Sequence, residues 1–225
     1  QVDGEQLDRF FRPTLRRAMG FIERAFRSRT SPPAWLSGRR VEGSLRIEAL
    51  SLAGLDAAGL AARFFWDGLR LEIPDLTAVV EGGRFSGRHL LLLGGETVRN
   101  RLDGRVDGLE FGQALIESEF SASWAGFGQQ LAGTLEAEGH ITARTPEFAD
   151  QPLKSIQACV TYDARRGRGR LQISCLEAFA PGEAFTGVAS RQDSKWVFDF
   201  TGPKRQFRLT GSFSPAEWTM EARPR

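Results

Sequence analysis

The stretch Leu131–Arg144, LAGTLEAEGHITAR, decides the fold class, because its apolar and polar residues alternate one by one. Leucine, isoleucine, alanine and glycine occupy the odd positions, and threonine, glutamate, histidine and arginine occupy the even positions from Thr134 onward. Successive side chains of a β-strand point to opposite faces of its sheet. The stretch therefore predicts one long strand, roughly 45 Å at about 3.3 Å per residue, with one apolar and one solvated face.

The same alternation recurs from Val41 almost to the C-terminus, and glycine-rich turns such as Trp66-Asp67-Gly68 and Gly82-Gly83 separate the segments. Such short connections favour antiparallel pairing of neighbouring strands. Around Gly112 to Ser118 the alternation lapses, and we predict a short helix there. The pattern predicts a mainly β fold, in which a long curved antiparallel sheet forms an apolar groove or a partly open barrel or sandwich.

The N-terminal segment has a helical period instead, since its apolar residues recur at steps of three and four between residues 3 and 29. Pro13 divides it into a short helix to about Phe11 and a second helix from Pro13 to about Ser28. Its many arginines would let this amphipathic segment lie on a membrane surface, or it packs on the protein's own sheet. We therefore expect a helical segment over 1–34 and a β-domain over 35–225.

The composition excludes several function classes. The chain has 225 residues, of which 41% are hydrophobic and 26% charged, and this is typical of a folded protein. Its 30 basic and 28 acidic residues nearly cancel, which argues against a nucleic-acid partner. Reactive side chains are scarce, with two His, two Cys and one Tyr beside 17 Phe and five Trp. We therefore expect no enzymatic activity and no cofactor.

Two charged clusters are candidate sites of chemistry. Glu136 and Glu138 fall on one strand face, and paired carboxylates can perform hydrolysis. The same face carries other polar residues, so a solvated strand face is favoured and a hydrolase is a rival hypothesis. The run Arg165–Arg170, RRGRGR, resembles a nucleic-acid-binding segment. It also falls where a hairpin turn is expected, and we interpret it as an exposed turn.

The histidines and cysteines have no spacing typical of a metal site. His89 and His140 are far apart in the sequence, and Cys159 and Cys175 do not form a C-x-x-C pair. Cys159 falls on the polar parity of its strand and Cys175 on the apolar parity of the next. Directly opposed residues share a face, so a bridge would need a β-bulge. We predict two unbridged cysteines and no metal site.

Several stretches resemble the C-terminal region of the AsmA family. The most distinctive is a strand followed by Gly-Gly, an aromatic residue, a small residue and Gly. The matching stretches are VDGEQLDRF (2–10), VEGSLRIEAL (41–50), WDGLRL (66–71), LTAVVEGGRFSG (76–87) and VDGLEF (106–111). The resemblance implies a periplasmic β-groove with an apolar lining, in a longer protein anchored in the bacterial inner membrane by a helix upstream of Gln1.

The resemblance also implies a function in phospholipid transport and outer membrane biogenesis, with a phospholipid or another acyl-chain lipid as the partner. The sequence leaves the lipid species and the oligomeric state open. An alternative is a structural or protein-interaction β-module of the cell envelope without lipid cargo. The residues expected to line the groove occupy the apolar parity of their strands: Leu45, Ile47, Leu69, Leu71, Ile73, Phe85, Leu91, Leu93, Leu131, Leu135, Ile141, Val160, Leu171, Ile173, Trp196, Phe198, Phe200, Phe207, Leu209 and Phe213.

Overall fold

A computed structural model gives the fold of most of the chain. It describes residues 2–3, 40–52, 55–94, 97–111, 114–126, 129–144, 147–148, 151–165, 169–213 and 216–224. The predicted N-terminal helices lie outside these residues, apart from Asp3, which ends a short strand.

The described residues form strands almost throughout. The elements are β1 (Val2–Asp3), β2 (Val41–Leu52), β3 (Leu55–Trp66), β4 (Arg70–Val80), β5 (Gly83–Leu92), β6 (Arg99–Phe111), β7 (Ala114–Ala125), α1 (Gln129–Thr134), β8 (Glu136–Arg144), β9 (Glu147–Phe148), β10 (Gln151–Pro152), β11 (Ser155–Asp163), β12 (Arg170–Ala180), β13 (Glu183–Gln192), β14 (Lys195–Thr201), β15 (Arg205–Phe213) and β16 (Ala216–Pro224).

Fourteen of these strands form one sheet, in the order β1 to β8 followed by β11 to β16. Each strand therefore pairs with the strand before it in this series. The short β1 runs parallel to β2, and the sequential hairpins, such as β2–β3 and β15–β16, are antiparallel. Strands β9 and β10 pair with each other as a separate antiparallel ribbon. The prediction of a mainly β chain built on an antiparallel sheet is confirmed.

The predicted strand Leu131–Arg144 is wrong over its first four residues, which belong to helix α1. A backbone bond from Leu135 N to Leu131 O, 3.0 Å long, closes the last turn. The Thr134 hydroxyl donates to Gln130 O at 2.7 Å and accepts from Ala125 N at 2.9 Å. These local bonds satisfy the backbone without a strand partner, so the alternating pattern takes effect only from Glu136.

The predicted helix over Gly112–Ser118 is also wrong, because Ala114–Ala125 is strand β7. The even positions of β7 are the more buried ones, as at Ala122, which is 8% exposed. Leu115 stands on the opposite parity and is 45% exposed, which hid the alternation in the sequence. Pairing with β6 and β8 gives this segment the extended conformation.

The chain divides into two compact units. Unit 1 consists of Gln1–Arg105, Phe120–Ala137 and Tyr162–Arg170, and unit 2 consists of Val106–Glu119, Glu138–Thr161 and Leu171–Arg225. In unit 1 the buried apolar cluster among the described residues is small, with Leu91, Leu93 and Val98 at its centre. In the part of unit 2 that the structure describes, nine buried residues form one cluster, which includes Phe185, Phe200 and Leu209.

Candidate functional site

One face of strands β2–β5 in unit 1 collects the apolar residues that the sequence predicted to share a face. Leu71 lies opposite Leu91, and Leu45 lies opposite Ala62. Ala62 lies in turn opposite Leu76 on β4. Directly opposed residues of antiparallel strands point to the same side of the sheet. The register thus forms one continuous apolar face from four consecutive strands.

A β-bulge in β4 keeps this face continuous. Ile73 lies opposite His89, whereas Leu76 lies opposite Gly87, so three steps along β4 match two steps along β5. The extra residue changes the parity, and the odd apolar positions before Pro74 point to the same side as the even positions after it. Proline has no N–H to donate, and a bulge is one of the few places in a sheet that tolerates it.

The apolar face of unit 1 is open at some positions and closed at others. Leu45 is 47% exposed and Leu69, in the turn just before β4, is 48% exposed, whereas Leu91 and Leu93 are only 3% and 5% exposed. The other predicted lining residues of these strands are half-buried, namely Ile47, Leu71, Ile73 and Phe85. Acyl chains could therefore reach the Leu45 and Leu69 positions, while the Leu91 and Leu93 positions are already filled by protein.

Four of the predicted lining residues of unit 2 are buried, namely Phe198, Phe200, Phe207 and Leu209. Phe200, Phe207 and Leu209 are at most 3% exposed, and the rings of Phe200 and Phe207 stack at 4.6 Å between centroids. Phe198 is 8% exposed and stacks on Trp218 at 5.2 Å. These side chains fill the space between themselves, so they act as a packed core in this structure.

The remaining predicted lining residues are intermediate. Leu135, Ile141, Val160, Ile173 and Trp196 are half-buried, and Leu171 is 37% exposed. Leu131 is half-buried but lies in α1, not on a strand face. Phe213 belongs to β15, and its side chain lies outside the described part of the chain. A role of these residues in lining a groove stays a prediction.

The two cysteines are bridged, so the prediction of two free thiols is wrong. Cys159 on β11 and Cys175 on β12 form a disulfide, with their Cα atoms 5.4 Å apart. Cys175 has a φ of 42°, a left-handed conformation that is rare for a residue other than glycine. Ile173 packs towards the core before this residue, and Leu176 does so after it. This irregularity is the change of parity that the bridge required. Its sign in the sequence is the step of three residues between the apolar residues Ile173 and Leu176.

His140 lies beside this disulfide. Its Nδ1 atom is 3.9 Å from Cys159 Sγ, and the ligand atoms of His140, Cys159 and Cys175 all lie within 4.8 Å of one another. In the sequence pattern, His140 and Cys159 fall on polar strand faces, whereas Cys175 falls on the apolar parity. The cluster could therefore not be predicted from an uninterrupted alternation.

The paired glutamates of β8 belong to a solvated surface. Glu136 forms an ion pair with Arg165, and Glu138 is exposed. Arg165 is itself exposed and follows the end of β11, while residues 166–168 of the Arg-Gly run lie outside the described chain. The positions of Glu136 and Glu138 agree with the interpretation of a solvated strand face, and the exposed turn over the Arg-Gly run stays a prediction.

His89 belongs to a small polar cluster inside unit 1. Its Nε2 atom is 3.2 Å from Asn100 Oδ1, and Asn100, which is 4% exposed, donates to Gly126 O at 3.3 Å. The imidazole stacks on Trp124 at 5.7 Å between ring centroids. Burial lowers the pKa of His89, and the hydrogen bond to Asn100 offsets part of this effect. His89 is therefore a neutral, packed histidine at pH 7.

Among the described residues, no helix is long and apolar enough to cross a membrane. Comparisons with protein-family models, with curated proteins and with solved structures find no match to this chain. The resemblance to the AsmA family therefore stays a prediction from the sequence.

Proposed function

We propose that this chain is a non-enzymatic lipid-binding segment that holds acyl chains against the apolar face of β2–β5. The observation that carries the proposal is the partial exposure of that face and of the turn that leads into β4, where Leu45 and Leu69, respectively, are nearly half exposed. Of the lining residues that the sequence predicts, those in the open part of unit 1 are the ones that would contact the lipid.

The apolar surface that unit 1 leaves in contact with water would supply the free energy of lipid binding. Leu45 and Leu69 expose apolar surface beside the half-buried side chains of Ile47 and Leu71. An acyl chain laid along them would gain about 0.8 kcal/mol for each methylene removed from water. Several methylenes together would suffice to hold one lipid tail, although ordering of the tail offsets part of this gain.

The opposite face of the same strands carries charge. Arg63 pairs with Glu42 at 2.8 Å, and Arg70 pairs with Glu72 at 2.9 Å. All four side chains are about half exposed, so these pairs contribute little to stability and mainly keep this side hydrated. Arginines at the strand ends could contact a lipid phosphate through their planar forks.

The wider setting that we propose is periplasmic. Disulfides persist in oxidising compartments such as the bacterial periplasm, and the Cys159–Cys175 bridge supports this location. Together with the resemblance to the AsmA family, it supports a role in phospholipid transport and outer membrane biogenesis, as part of a protein anchored in the inner membrane.

A second candidate is a structural or protein-interaction β-module without lipid. The closed cluster of unit 2 favours it, because Phe185, Phe200 and Leu209 are each less than 2% exposed and offer no surface to a ligand. In that case, the open face of unit 1 would be covered by a protein partner.

Lipid content of the purified chain separates the two candidates. We expect native mass spectrometry and solvent extraction to recover phospholipid from the wild type. Leu45→Asp should lower the lipid content several-fold, because a charge beside an acyl chain must be desolvated. The matched control is Val188→Asp, since Val188 is 71% exposed in unit 2 and is not a predicted lining residue.

The proposal fails if the wild type carries no lipid, or if both variants lose lipid equally. Thermal unfolding of the two variants, compared with the wild type, shows whether a loss of lipid reflects a loss of fold. A lipid-free wild type whose unit 1 face captures a protein would favour the second candidate.

A further inference from the structure

We infer that His140, Cys159 and Cys175 form a binding site for a thiophilic divalent cation, Zn²⁺ above all. The site becomes available to the metal when the disulfide is reduced. The inference is independent of the proposed lipid function. It also goes beyond the sequence, in which the spacing of the histidines and cysteines is not typical of a metal site.

The sheet topology brings the three side chains together. They stand on β8, β11 and β12, which are consecutive in the sheet order. Their ligand atoms all lie within 4.8 Å of one another, and Nδ1 of His140 faces Cys159 Sγ at 3.9 Å. Each side chain comes from a different strand, so the sheet itself holds the cluster in place.

These distances are close to what zinc requires. Zinc binds cysteine sulfur at about 2.3 Å and histidine nitrogen at about 2.0–2.1 Å, usually with tetrahedral geometry. Two sulfurs on one tetrahedral zinc are then roughly 3.7 Å apart. Breaking the disulfide lets the two sulfurs separate to this distance through side-chain rotation. Thiolate and imidazole ligands favour zinc over magnesium or calcium, and this site offers two thiolates and one imidazole.

Solvent access supports both the reduction and the binding step. His140 and Cys175 are exposed and Cys159 is half-buried, so a reductant can reach the bridge and water can take the fourth position on the metal. In the oxidised state, both sulfurs are bonded to each other and provide no thiolate. Bridge and metal are therefore alternative states of the same three residues.

The reaction balances with a dithiol as the reductant. The Cys159–Cys175 bond breaks, and its two sulfurs take up two electrons. Each sulfur receives one proton from the dithiol, and the dithiol closes its own disulfide. Binding of Zn²⁺ then displaces the two thiol protons to solvent, and neutral His140 donates its lone pair without releasing a proton. Exchange with a disulfide reverses the sequence: that disulfide takes up the two electrons and two protons from solvent to become a dithiol, the Cys159–Cys175 bond closes, and the metal is freed.

The test compares metal binding by the oxidised and the reduced full chain. A phosphine is the laboratory reductant, because it gives no competing thiolate. The phosphine is oxidised to the phosphine oxide with the oxygen atom of a water molecule, and the two protons of that water go to the sulfurs. We expect the reduced wild type to bind one Zn²⁺ per chain in competition with a chromophoric chelator, and the oxidised wild type to bind none. Co²⁺ in the same site should give the visible absorption of tetrahedral cobalt with sulfur ligands.

The variants His140→Ala and His89→Ala form the matched pair, since His89 lies in the polar cluster of unit 1. Changes around a metal ligand weaken binding by roughly 10–100-fold, and loss of the ligand itself in His140→Ala should weaken it at least as much. His89→Ala should bind zinc like the wild type. Equal affinity of reduced wild type and His140→Ala, or no zinc in the reduced wild type, would overturn the inference.

Reduction alone could unfold the sheet, and a second measurement covers that case. Zinc should then restore the far-UV circular dichroism of the reduced wild type, because a metal that binds only the native ligand set stabilises it. It should not restore that of reduced His140→Ala. Failure of zinc to restore the wild type would count against the site.

Discussion

Unit 1 and unit 2 have the same alternation of apolar and polar residues, yet they bury it differently. In unit 2, the apolar parity of β13–β15 is closed, with Phe200 and Leu209 each 1% exposed. In unit 1, the apolar parity of β2 and the turn before β4 is open, with Leu45 and Leu69 nearly half exposed. Identical local patterns thus serve as a packed core in one unit and as an available surface in the other.

The interiors also differ in polarity. Asn100 is the one buried polar or charged side chain among the described residues, and it lies in unit 1 with its partner His89. The central cluster of unit 2 consists of leucine, alanine and phenylalanine. Unit 2 therefore depends on close packing, while unit 1 combines a small apolar cluster with a titratable group.

Phe200→Ala in unit 2 should have the largest effect. The phenyl ring is 1% exposed and stacks on Phe207 at 4.6 Å, and truncation of a buried Phe costs about 3–5 kcal/mol. The paired change Leu45→Ala in unit 1 should lower the free energy of unfolding by less than about 1 kcal/mol, because half of its surface is already in water. Urea denaturation measures both, and equal losses would contradict the contrast between the units.

Gly187→Ala should have an intermediate effect. A Cβ atom at Gly187 would lie 2.8 Å from side-chain atoms of both Leu176 and Phe200, in the closed cluster of unit 2. Overpacking of this kind typically costs about 1–3 kcal/mol. The matched change is Gly133→Ala in helix α1, where a Cβ would meet nothing within 4 Å.

Gly133→Ala should be neutral or stabilising by up to about 1 kcal/mol, since alanine is the better helix former. Thermal unfolding of the two variants compares them directly. If Gly187→Ala is as stable as Gly133→Ala, the unit 2 cluster is looser than the structure indicates.

The smallest expected effect is a pH dependence that belongs to unit 1. Burial lowers the pKa of His89 below 6.5, so the unfolded chain binds a proton more readily than the folded one. The stability that comes from neutral His89 is complete above pH 6.5 and is lost as pH falls through the lowered pKa. Urea denaturation at several pH values below 7 measures this loss.

His89→Gln is the control for this dependence, because glutamine stays neutral and can still hydrogen-bond to Asn100. Its free energy of unfolding should fall less steeply with decreasing pH than that of the wild type. An identical slope in both proteins would show that His89 is not the group responsible.

Much of the sheet could be predicted from the sequence. Within each strand, the alternation placed Leu71 and Ile73 of β4 together and Leu91 of β5 on the apolar positions. The register of the two strands brings these three residues to one face of the sheet. The turn at Gly82-Gly83 marks the hairpin between β4 and β5, where Val80 lies opposite Gly83. These features depend on neighbouring residues only, because side-chain direction in a strand follows from its position in the chain.

The errors lie where a local exception or a distant partner decides the structure. Thr134 closes a helical turn with bonds to Gln130 and Ala125, and this ends the alternation that Leu131 had begun. Cys175 adopts a left-handed conformation and changes parity within β12, which brings it to Cys159 on the neighbouring strand. A rule that assigns alternate residues to alternate faces along the whole chain predicts neither the helical turn at Thr134 nor the change of parity at Cys175.

The sequence by itself determined that the chain is mainly β, where its hairpins turn and which residues share a face. The tertiary structure decided which parts of that face are covered, so that Phe200 is enclosed and Leu45 is open. It also decided that His140, Cys159 and Cys175 meet. The reason is that alternation is a property of one strand, whereas burial and pairing depend on atoms that arrive from elsewhere in the chain.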